Sequence, residues 1–192
     1  MLDMNEKVII FSAPSGAGKS TIVNHLLRLY PEMEFSVSAT SRMPRGNEKN
    51  GVEYYFFSEQ EFRELIAKDS FVEYEEVYPG SFYGTLKSEV ERIWAKGHVI
   101  VFDIDVKGGV NVKRIFGDRA FSIFIQAPSV DELRRRLESR GTDSPEAIDR
   151  RVAKAQSEME FAKGKFDYVL VNDDLQTALA EAERVIGQFI AG

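Results

Sequence analysis

The 192-residue chain contains no cysteine, two histidines and one tryptophan, and these shortages exclude several kinds of protein. Without cysteine there is no disulfide framework and no thiolate metal site. His25 and His98 do not have the spacing of a metal-ligand pair, so we expect both to be ordinary buried or surface residues. We find no long apolar run and expect no signal peptide, which predicts a cytoplasmic protein.

Positive charge is also in short supply. The chain has 25 Lys and Arg residues against 31 Asp and Glu residues, a formal net charge of −6. Bulk electrostatics therefore recruit neither nucleic acid nor an anionic membrane, and we predict no partner of either kind. A hydrophobic content of 43% is ordinary for a globular protein, and the length suits one α/β domain with small inserted subdomains.

A glycine-rich segment follows an apolar run at 8–11 and opens a helical pattern. It consists of Ala13, Pro14, Ser15, Gly16, Ala17, Gly18, Lys19 and Ser20. This order is typical of a P-loop, in which backbone N–H groups and a helix N-terminus bind phosphate. Lys19 is predicted to reach the β- and γ-phosphates of a nucleotide, and the Ser20 hydroxyl to bind Mg²⁺. The strict pattern begins with glycine rather than Ala13, so the alternative is a glycine-rich turn without a ligand.

Strand-like and helical patterns alternate along most of the chain. Strands are predicted near residues 7–12, 35–38, 53–57, 71–78, 98–104, 120–126 and 166–171. Helices are predicted near residues 19–30, 59–68, 85–96, 107–116, 129–140, 145–162 and 174–190. The alternation predicts a parallel sheet with helices on both faces. Residues 35–84 are richer in short strands and aromatic side chains, which predicts a small mixed insertion, and residues 141–145 interrupt two helices as a hinge or lid tip.

A second apolar strand ends in Asp103-Ile104-Asp105. P-loop enzymes use a strand of this kind to place a carboxylate near Mg²⁺ and the phosphates. Residues two apart on a strand point to the same side, so Asp103 and Asp105 are predicted to serve one pocket. The alternative is that these aspartates only end the strand and cap the next helix.

Arginines occur in three places that suit phosphate binding. Arg42 and Arg45 lie three apart in a turn with proline, Arg136 and Arg140 lie four apart on one helical face, and Arg151 follows the break at 141–145. Guanidinium groups match phosphate oxygens and remain charged throughout a reaction. The alternative is a solvated basic face whose arginines form salt bridges with nearby carboxylates.

Several segments of the chain together resemble the guanylate kinase family. They read SVSATSRMPR at 36–45, NGVEYYF at 50–56, FVE at 71–73, YGT at 83–85, DID at 103–105, RLESRG at 136–141 and VND at 171–173. With the P-loop, the ordered series runs from about residue 7 to 190, which is far more specific than the P-loop alone.

The resemblance implies an α/β fold, with a P-loop NTPase-type parallel sheet flanked by helices in a single guanylate-kinase-like domain. Its core would comprise residues of about 1–34, 85–125 and 159–192. A small mixed α/β GMP-binding insertion would occupy about 35–84, and a helical lid about 126–158.

The resemblance further implies an enzyme that transfers phosphate directly from ATP to GMP, in line, giving ADP and GDP, with Mg²⁺ accompanying ATP. ATP would be bound by Ala13–Ser20, with Asn172 near its adenine, and the metal would be bound by Ser20 and Asp103. The implied GMP-binding residues are Ser38, Arg42, Arg45, Tyr54, Glu73, Tyr83, Thr85 and Asp105. The implied catalytic residues are Lys19, Arg42, Arg45, Arg136, Arg140 and Arg151.

The chemistry of guanine agrees with this set of residues. An ionised Glu73 can accept hydrogen bonds from N1–H and N2–H, while the hydroxyls of Ser38 and Thr85 can donate to O6. The same carboxylate would repel the N1 lone pair of adenine. Two other functions stay open: a P-loop kinase for a different phosphorylated acceptor, and a catalytically inactive scaffold of this shape that binds a phosphopeptide.

Overall fold

The computed structural model describes residues 6–141 and 143–192. The chain divides into two compact units, the first containing Glu34–Ile100 and the second containing Lys7–Met33 and Val101–Gly192. Residues 1–5 of the predicted core and Thr142 of the predicted break at 141–145 lie outside the described residues. No helix in the described ranges is long and apolar enough to cross a membrane.

Strands and helices alternate along much of the described chain, and the first unit, where several strands follow one another directly, departs from this order as predicted. The strands are β1 (Val8–Ser12), β2 (Met33–Phe35), β3 (Ala39–Thr40), β4 (Tyr55–Phe56), β5 (Phe71–Tyr78), β6 (Ser81–Leu86), β7 (Val99–Asp103), β8 (Ala120–Gln126) and β9 (Tyr168–Val171). The helices are α1 (Lys19–Leu29), α2 (Glu59–Ala67), α3 (Lys87–Trp94), α4 (Val106–Phe116), α5 (Val130–Ser139), α6 (Pro145–Ala162) and α7 (Leu175–Ala191).

The larger sheet has five strands in the order β2-β7-β1-β8-β9. Its centre is parallel: β1 pairs with β8 from Val8↔Ala120 to Ser12↔Phe124, and β8 pairs in parallel with β9. Every residue of β1 is buried, as expected of a parallel strand whose two faces are both covered. The predicted fold class, a P-loop NTPase-type sheet flanked by helices, is confirmed.

The smaller sheet lies in the first unit and has the mixed order β4-β3-β6-β5. Strand β3 pairs in parallel with β4 and antiparallel with β6, and β5 and β6 form an antiparallel pair. Its core is aromatic, with the Phe62 ring stacked 4.4 Å from that of Phe71 and 5.3 Å from that of Phe82.

Three predicted elements of the first unit were wrong in their bounds. The strand predicted at 53–57 is limited to Tyr55–Phe56. The strand predicted at 35–38 ends at Phe35, and the chain enters the smaller sheet only at Ala39. The helix predicted at 85–96 begins at Lys87, because the preceding residues form β6. The aromatic and small residues of β6 pair with β5 across a short turn, and this pairing is a contact that local helical periodicity does not contain.

Candidate functional site

The glycine-rich segment forms a tight loop between β1 and α1. Gly16 and Gly18 have φ angles of +94° and +92°, a region that side chains with a Cβ rarely adopt. The backbone N–H of Ala17 donates to the carbonyl of Pro14 at 3.2 Å, which closes a turn, and α1 begins directly at Lys19. The N-terminal turn of an eleven-residue helix therefore follows the loop, as a phosphate site requires.

Asn172 supports this loop from the protein interior. It is 6% exposed, and its amide Nδ2 donates to the carbonyl oxygen of Ala17 at 2.9 Å. A Cβ on Gly18 would lie only 2.3 Å from that nitrogen, so the second glycine is required by packing as well as by φ. The contact with adenine implied by the resemblance stays a prediction, and the role that can be described is support of the loop.

Lys19 forms an ion pair with Asp103, the last residue of β7. Both side chains are partly exposed, at 22% and 34%. Since the strand end and the helix start supply the two partners, the P-loop lysine and the strand-end carboxylate are neighbours, as the sequence predicts. A lysine ammonium has three N–H donors, so Lys19 can donate to a phosphate while it is paired with Asp103.

Asp105 differs from the prediction. It does not share a strand face with Asp103, because the chain leaves β7 after Asp103, and Asp105 is the N-cap of α4. Its Oδ1 accepts from the backbone N–H groups of Lys107 at 2.9 Å and Gly108 at 2.8 Å. The alternative of a helix cap is thus correct for Asp105, although both aspartates still line one cavity.

That cavity, of about 640 Å³, lies over the P-loop. Its walls include Ala13–Gly16, Gly18–Thr21, Asp103–Asp105, Arg140, Arg151, Lys154 and Glu158. Arg151 donates through Nη1 to the Ser15 hydroxyl at 3.3 Å and pairs through Nη2 with Asp143 at 3.2 Å. The structure therefore brings two of the predicted lid arginines to the phosphate-binding loop.

Arg136 does not line this cavity. Its Nε donates to the carboxylate of Glu132 at 2.7 Å, and its Nη2 lies 3.4 Å from the carbonyl oxygen of Asp173. The salt-bridge alternative describes the contacts of this arginine, so its catalytic role stays a prediction.

Lys154 and Glu158 line the cavity, although the sequence reasoning did not select them. They lie one turn apart on α6 and form an ion pair at 3.5 Å. Lys154 follows Arg151 by three residues, and this helical spacing to an already selected arginine is the signal that could have found it.

In the first unit, Arg42 is the centre of the predicted site for the GMP phosphate. Its Nε donates to the Tyr83 hydroxyl at 3.2 Å, and its guanidinium lies 4.8 Å from the centre of the Tyr54 ring. The rings of Tyr54 and Tyr83 meet edge to face at 5.9 Å. The structure thus gathers three predicted phosphate-binding residues from separate parts of the chain.

Glu48 is a further member of this cluster that sequence reasoning missed. Its two carboxylate oxygens accept from Arg42 at 2.6 and 2.8 Å, and one of them accepts from the backbone N–H of Arg45 at 2.7 Å. The hydrogen bonds from Arg42, followed by that of Arg45, lower the pKa of Glu48 to about 2. The side chain of Arg45 is exposed. The signal was the three-residue spacing of Glu48 from Arg45 within a turn.

The predicted guanine-reading residues lie on neighbouring strands. Glu73 on β5 pairs in register with Thr85 on β6, and Ser38 directly precedes β3, which pairs with β6. The Thr85 hydroxyl donates to Oε1 of Glu73 at 2.8 Å and is buried. Because a hydroxyl has one hydrogen, this bond orients Glu73, and a donation from Thr85 to guanine O6 requires that hydroxyl to rotate.

Fold and site together define a nucleotide-binding protein of the P-loop class. The loop, the strand-end aspartate and the arginines above the loop are the parts from which phosphoryl-transfer sites of this class are built. No group of three or more His, Cys, Asp or Glu side chains in the described parts of the chain could hold a metal ion alone.

Comparison with known proteins identifies the family. The family model described as Guanylate kinase matches residues 5–189. The chain is 61% identical to a guanylate kinase of Bacteroides fragilis over 96% of this chain and 90% of the relative. It is 57% identical to that of Bacteroides thetaiotaomicron over 97% and 91%. The chain belongs to the guanylate kinase family and is a phosphotransferase.

Solved structures agree with this conclusion. The guanylate kinase of Anaplasma phagocytophilum superposes with a TM-score of 0.69 at 30% identity, covering 95% of this chain and 85% of that one. The protein TT1252 of Thermus thermophilus, at 18% identity and a TM-score of 0.51, shares the fold.

Proposed function

We propose that the residues described above divide the guanylate kinase reaction between them, the second unit binding ATP and the first binding GMP. Membership of the family gives the reaction itself, in which ATP phosphorylates GMP to yield ADP and GDP. Both substrates carry several negative charges, so the task of the protein is to position two phosphates and neutralise their repulsion. Direct in-line transfer requires no covalent intermediate with the enzyme.

On the ATP side, the backbone N–H groups of the P-loop and the first turn of α1 hold the phosphates, while Lys19 reaches the β- and γ-phosphates. Arg140 and Arg151 stabilise the charge that develops on the transferring phosphoryl group. The observation that carries the proposal is the single cavity lined by the P-loop and by both arginines. Asn172 keeps the loop in its curved conformation through its bond to Ala17.

The residues present fit a magnesium ion that enters with ATP. Mg²⁺ is usually held by one or two protein oxygens together with water and substrate phosphates. The Ser20 hydroxyl and the Asp103 carboxylate line the same cavity and supply such a donor set. Such an ion would supply positive charge that offsets the negative charge of the phosphates.

On the GMP side, Arg42 and Arg45 bind the phosphate together with the hydroxyls of Tyr54 and Tyr83. Glu73 accepts from the N1–H and N2–H groups of guanine, and the hydroxyls of Ser38 and Thr85 donate to O6. The existing bond from Thr85 to Glu73 supports this set, because it shows that the two side chains lie within hydrogen-bond distance of each other. When guanine binds, the Thr85 hydroxyl turns its hydrogen from Glu73 to O6. The contact of Asp105 with GMP stays a prediction.

The predicted subdivision is part of the proposal. Residues 35–84 act as the GMP-binding insertion, residues 126–158 as the lid, and the remainder as the core. Closure of the lid over ATP excludes water, which would otherwise hydrolyse the nucleotide. A cytoplasmic location stays a prediction.

A coupled assay of ADP release with GMP, dGMP, AMP, UMP and CMP as acceptors tests the proposal. GMP should have the highest kcat/KM. The values for AMP and the pyrimidine nucleotides should be lower by about 10³-fold or more, because these bases leave buried polar groups of the guanine site without hydrogen-bond partners. Equal use of AMP would refute the roles of Glu73, Ser38 and Thr85. Absence of turnover with every acceptor would favour the inactive scaffold.

A further inference from the structure

Glu89, in the first turn of α3, is a buried carboxylate that the reaction as proposed does not use. Its side chain is 1% exposed. One oxygen accepts from the backbone N–H of Val37 at 3.0 Å and from Arg92 at 2.8 Å. The other accepts from the Tyr55 hydroxyl at 3.0 Å and from Arg92 at 2.9 Å. Burial of a carboxylate is costly unless its oxygens accept hydrogen bonds, and here each oxygen accepts two.

The donors around Glu89 belong to segments that carry proposed GMP-binding residues. Val37 directly precedes Ser38, and the carbonyl oxygen of Ser38 accepts from the backbone N–H of Tyr55 at 2.9 Å. Glu89 itself lies four residues after Thr85, on the helix that follows β6. One carboxylate, on the helix that follows the strand of Thr85, therefore accepts from the residue before Ser38 and from the residue whose backbone N–H donates to Ser38.

A network of opposite charges keeps Glu89 ionised. Burial raises its pKa, but the hydrogen bonds from Arg92, the Val37 N–H and Tyr55 outweigh burial, so the pKa lies below its ordinary value. Arg92 is fixed in turn by Glu34, at 2.6 Å. The Glu89 end of this network reaches the backbone beside Ser38, and its other end lies on the surface.

We propose that Glu89 is a positioning residue for guanine recognition: it fixes the Val37–Ser38 backbone and Tyr55, and through them the side chain of Ser38. The inference rests on the proposed role of Ser38 in binding GMP. It differs from a purely structural role in one respect. Loss of a positioning residue weakens the use of GMP selectively, whereas loss of a structural residue lowers the amount of folded enzyme and affects both substrates alike.

The chain contains a matched control for Glu89. Glu181 on α7 also accepts two bonds from an arginine three residues later, Arg184, and one from a tyrosine hydroxyl, that of Tyr168. Glu181 lies in the second unit, outside the residues assigned to substrate binding. The two carboxylates thus have the same types of side-chain partner. They differ in two ways: Glu89 also binds the backbone of Val37, and its side chain is 1% exposed against 35% for Glu181.

Glu89→Gln and Glu181→Gln should be compared with wild type by steady-state kinetics, varying each substrate in turn. Glutamine keeps the shape but is uncharged and directs an NH₂ group at a donor of Arg92, so at least one of the two Arg92 bonds is lost. Glu89→Gln should raise the KM for GMP about tenfold and leave the KM for ATP within about twofold, as expected for loss of a buried charged partner. Glu181→Gln should leave both KM values unchanged.

A double-mutant cycle with Ser38→Ala tests whether Glu89 acts through Ser38. The effect of Glu89→Gln on the KM for GMP should largely disappear in the Ser38→Ala background, and full additivity would overturn the positioning role. If Ser38→Ala alone leaves the KM for GMP unchanged, the guanine-site assignment fails, and the positioning role with it. If only Glu89→Gln is without effect, the positioning role alone fails.

A milder variant covers the case in which Glu89→Gln does not fold. Tyr55→Phe removes one hydrogen bond to Glu89 and keeps the ring, so the enzyme should fold. It should raise the KM for GMP by about threefold, the lower end of what a single hydrogen bond contributes, with no change for ATP. Unchanged KM values for both substrates, or an equal rise in both, would overturn the proposal.

Discussion

The strictest steric requirement in the site is at Gly18, and its replacement by alanine gives the sharpest prediction. At a φ of +92° an alanine would cost roughly 1–2 kcal/mol of backbone strain. Its Cβ would also lie 2.3 Å from Nδ2 of Asn172, so Asn172 must move and lose its 2.9 Å bond to Ala17. An unmade bond of a buried amide costs about 1–3 kcal/mol. The free energy of unfolding should therefore fall by about 2–5 kcal/mol in total.

Gly97 provides the matched control, because it separates strain from collision. Its φ is +72°, and an added Cβ would meet no atom within 4 Å. Gly97→Ala should therefore cost only the strain, about 1–2 kcal/mol, and leave the kinetics with ATP unchanged. Urea unfolding measures both losses, and steady-state kinetics should show a fall in kcat/KM for ATP with Gly18→Ala alone.

The collision itself can be tested by a double-mutant cycle. In an Asn172→Ala background the obstructing amide is absent, so Gly18→Ala should cost only about the strain energy measured at Gly97. If Gly18→Ala and Gly97→Ala destabilise equally, or if the cycle is additive, the close packing of Asn172 against the P-loop does not carry the effect and the reasoning is refuted.

Four further outcomes are expected. Lys19→Ala should lower kcat by more than tenfold with an unchanged urea midpoint, and a variant retaining more activity would contradict the P-loop assignment. Arg140→Ala and Arg151→Ala should each reduce kcat by roughly 10³-fold with little change in the KM for GMP; a change in KM alone would indicate ground-state binding. Glu73→Gln should reduce kcat/KM for GMP by about 10²-fold and narrow the GMP/IMP ratio, and an unchanged ratio would contradict guanine reading. The depressed pKa of Glu34 contributes stability that is present above pH 4.5 and is lost as the pH falls to about 2. In Glu34→Gln, the free energy of unfolding, measured with urea, should therefore fall less between pH 4.5 and about 2 than it does in the wild type.

The sequence predicts the parts of this protein that local patterns determine. The P-loop, the helices and the strand that ends at Asp103 follow from periodicity, glycine spacing and runs of apolar residues. The motifs around Arg42, Glu73 and Thr85 are also recognisable, because their order and spacing are unusual. Membership of the family and the reaction follow from these features, and the comparisons confirm both.

Local sequence patterns do not predict contacts between distant segments. Strand β6 was missed because its partner β5 determines it, and the bond from Thr85 to Glu73 depends on their register across that pair. The support of the P-loop by Asn172 joins residues that are 155 positions apart. Asp105 was misplaced because a helix cap and a strand residue have the same sequence signature until the end of β7 is known.

Three of the predicted phosphate-binding side chains form ion pairs with carboxylates of the same chain. Lys19 pairs with Asp103, Arg42 with Glu48, and Arg151 with Asp143. In an acidic protein this arrangement has a clear electrostatic reason, since clustered cations repel one another and internal carboxylates offset that repulsion. A phosphate that binds must therefore compete with these carboxylates or share the cations with them. Substrate affinity is the difference between two sets of charge-assisted bonds, which favours selectivity for the doubly charged phosphate over weaker anions.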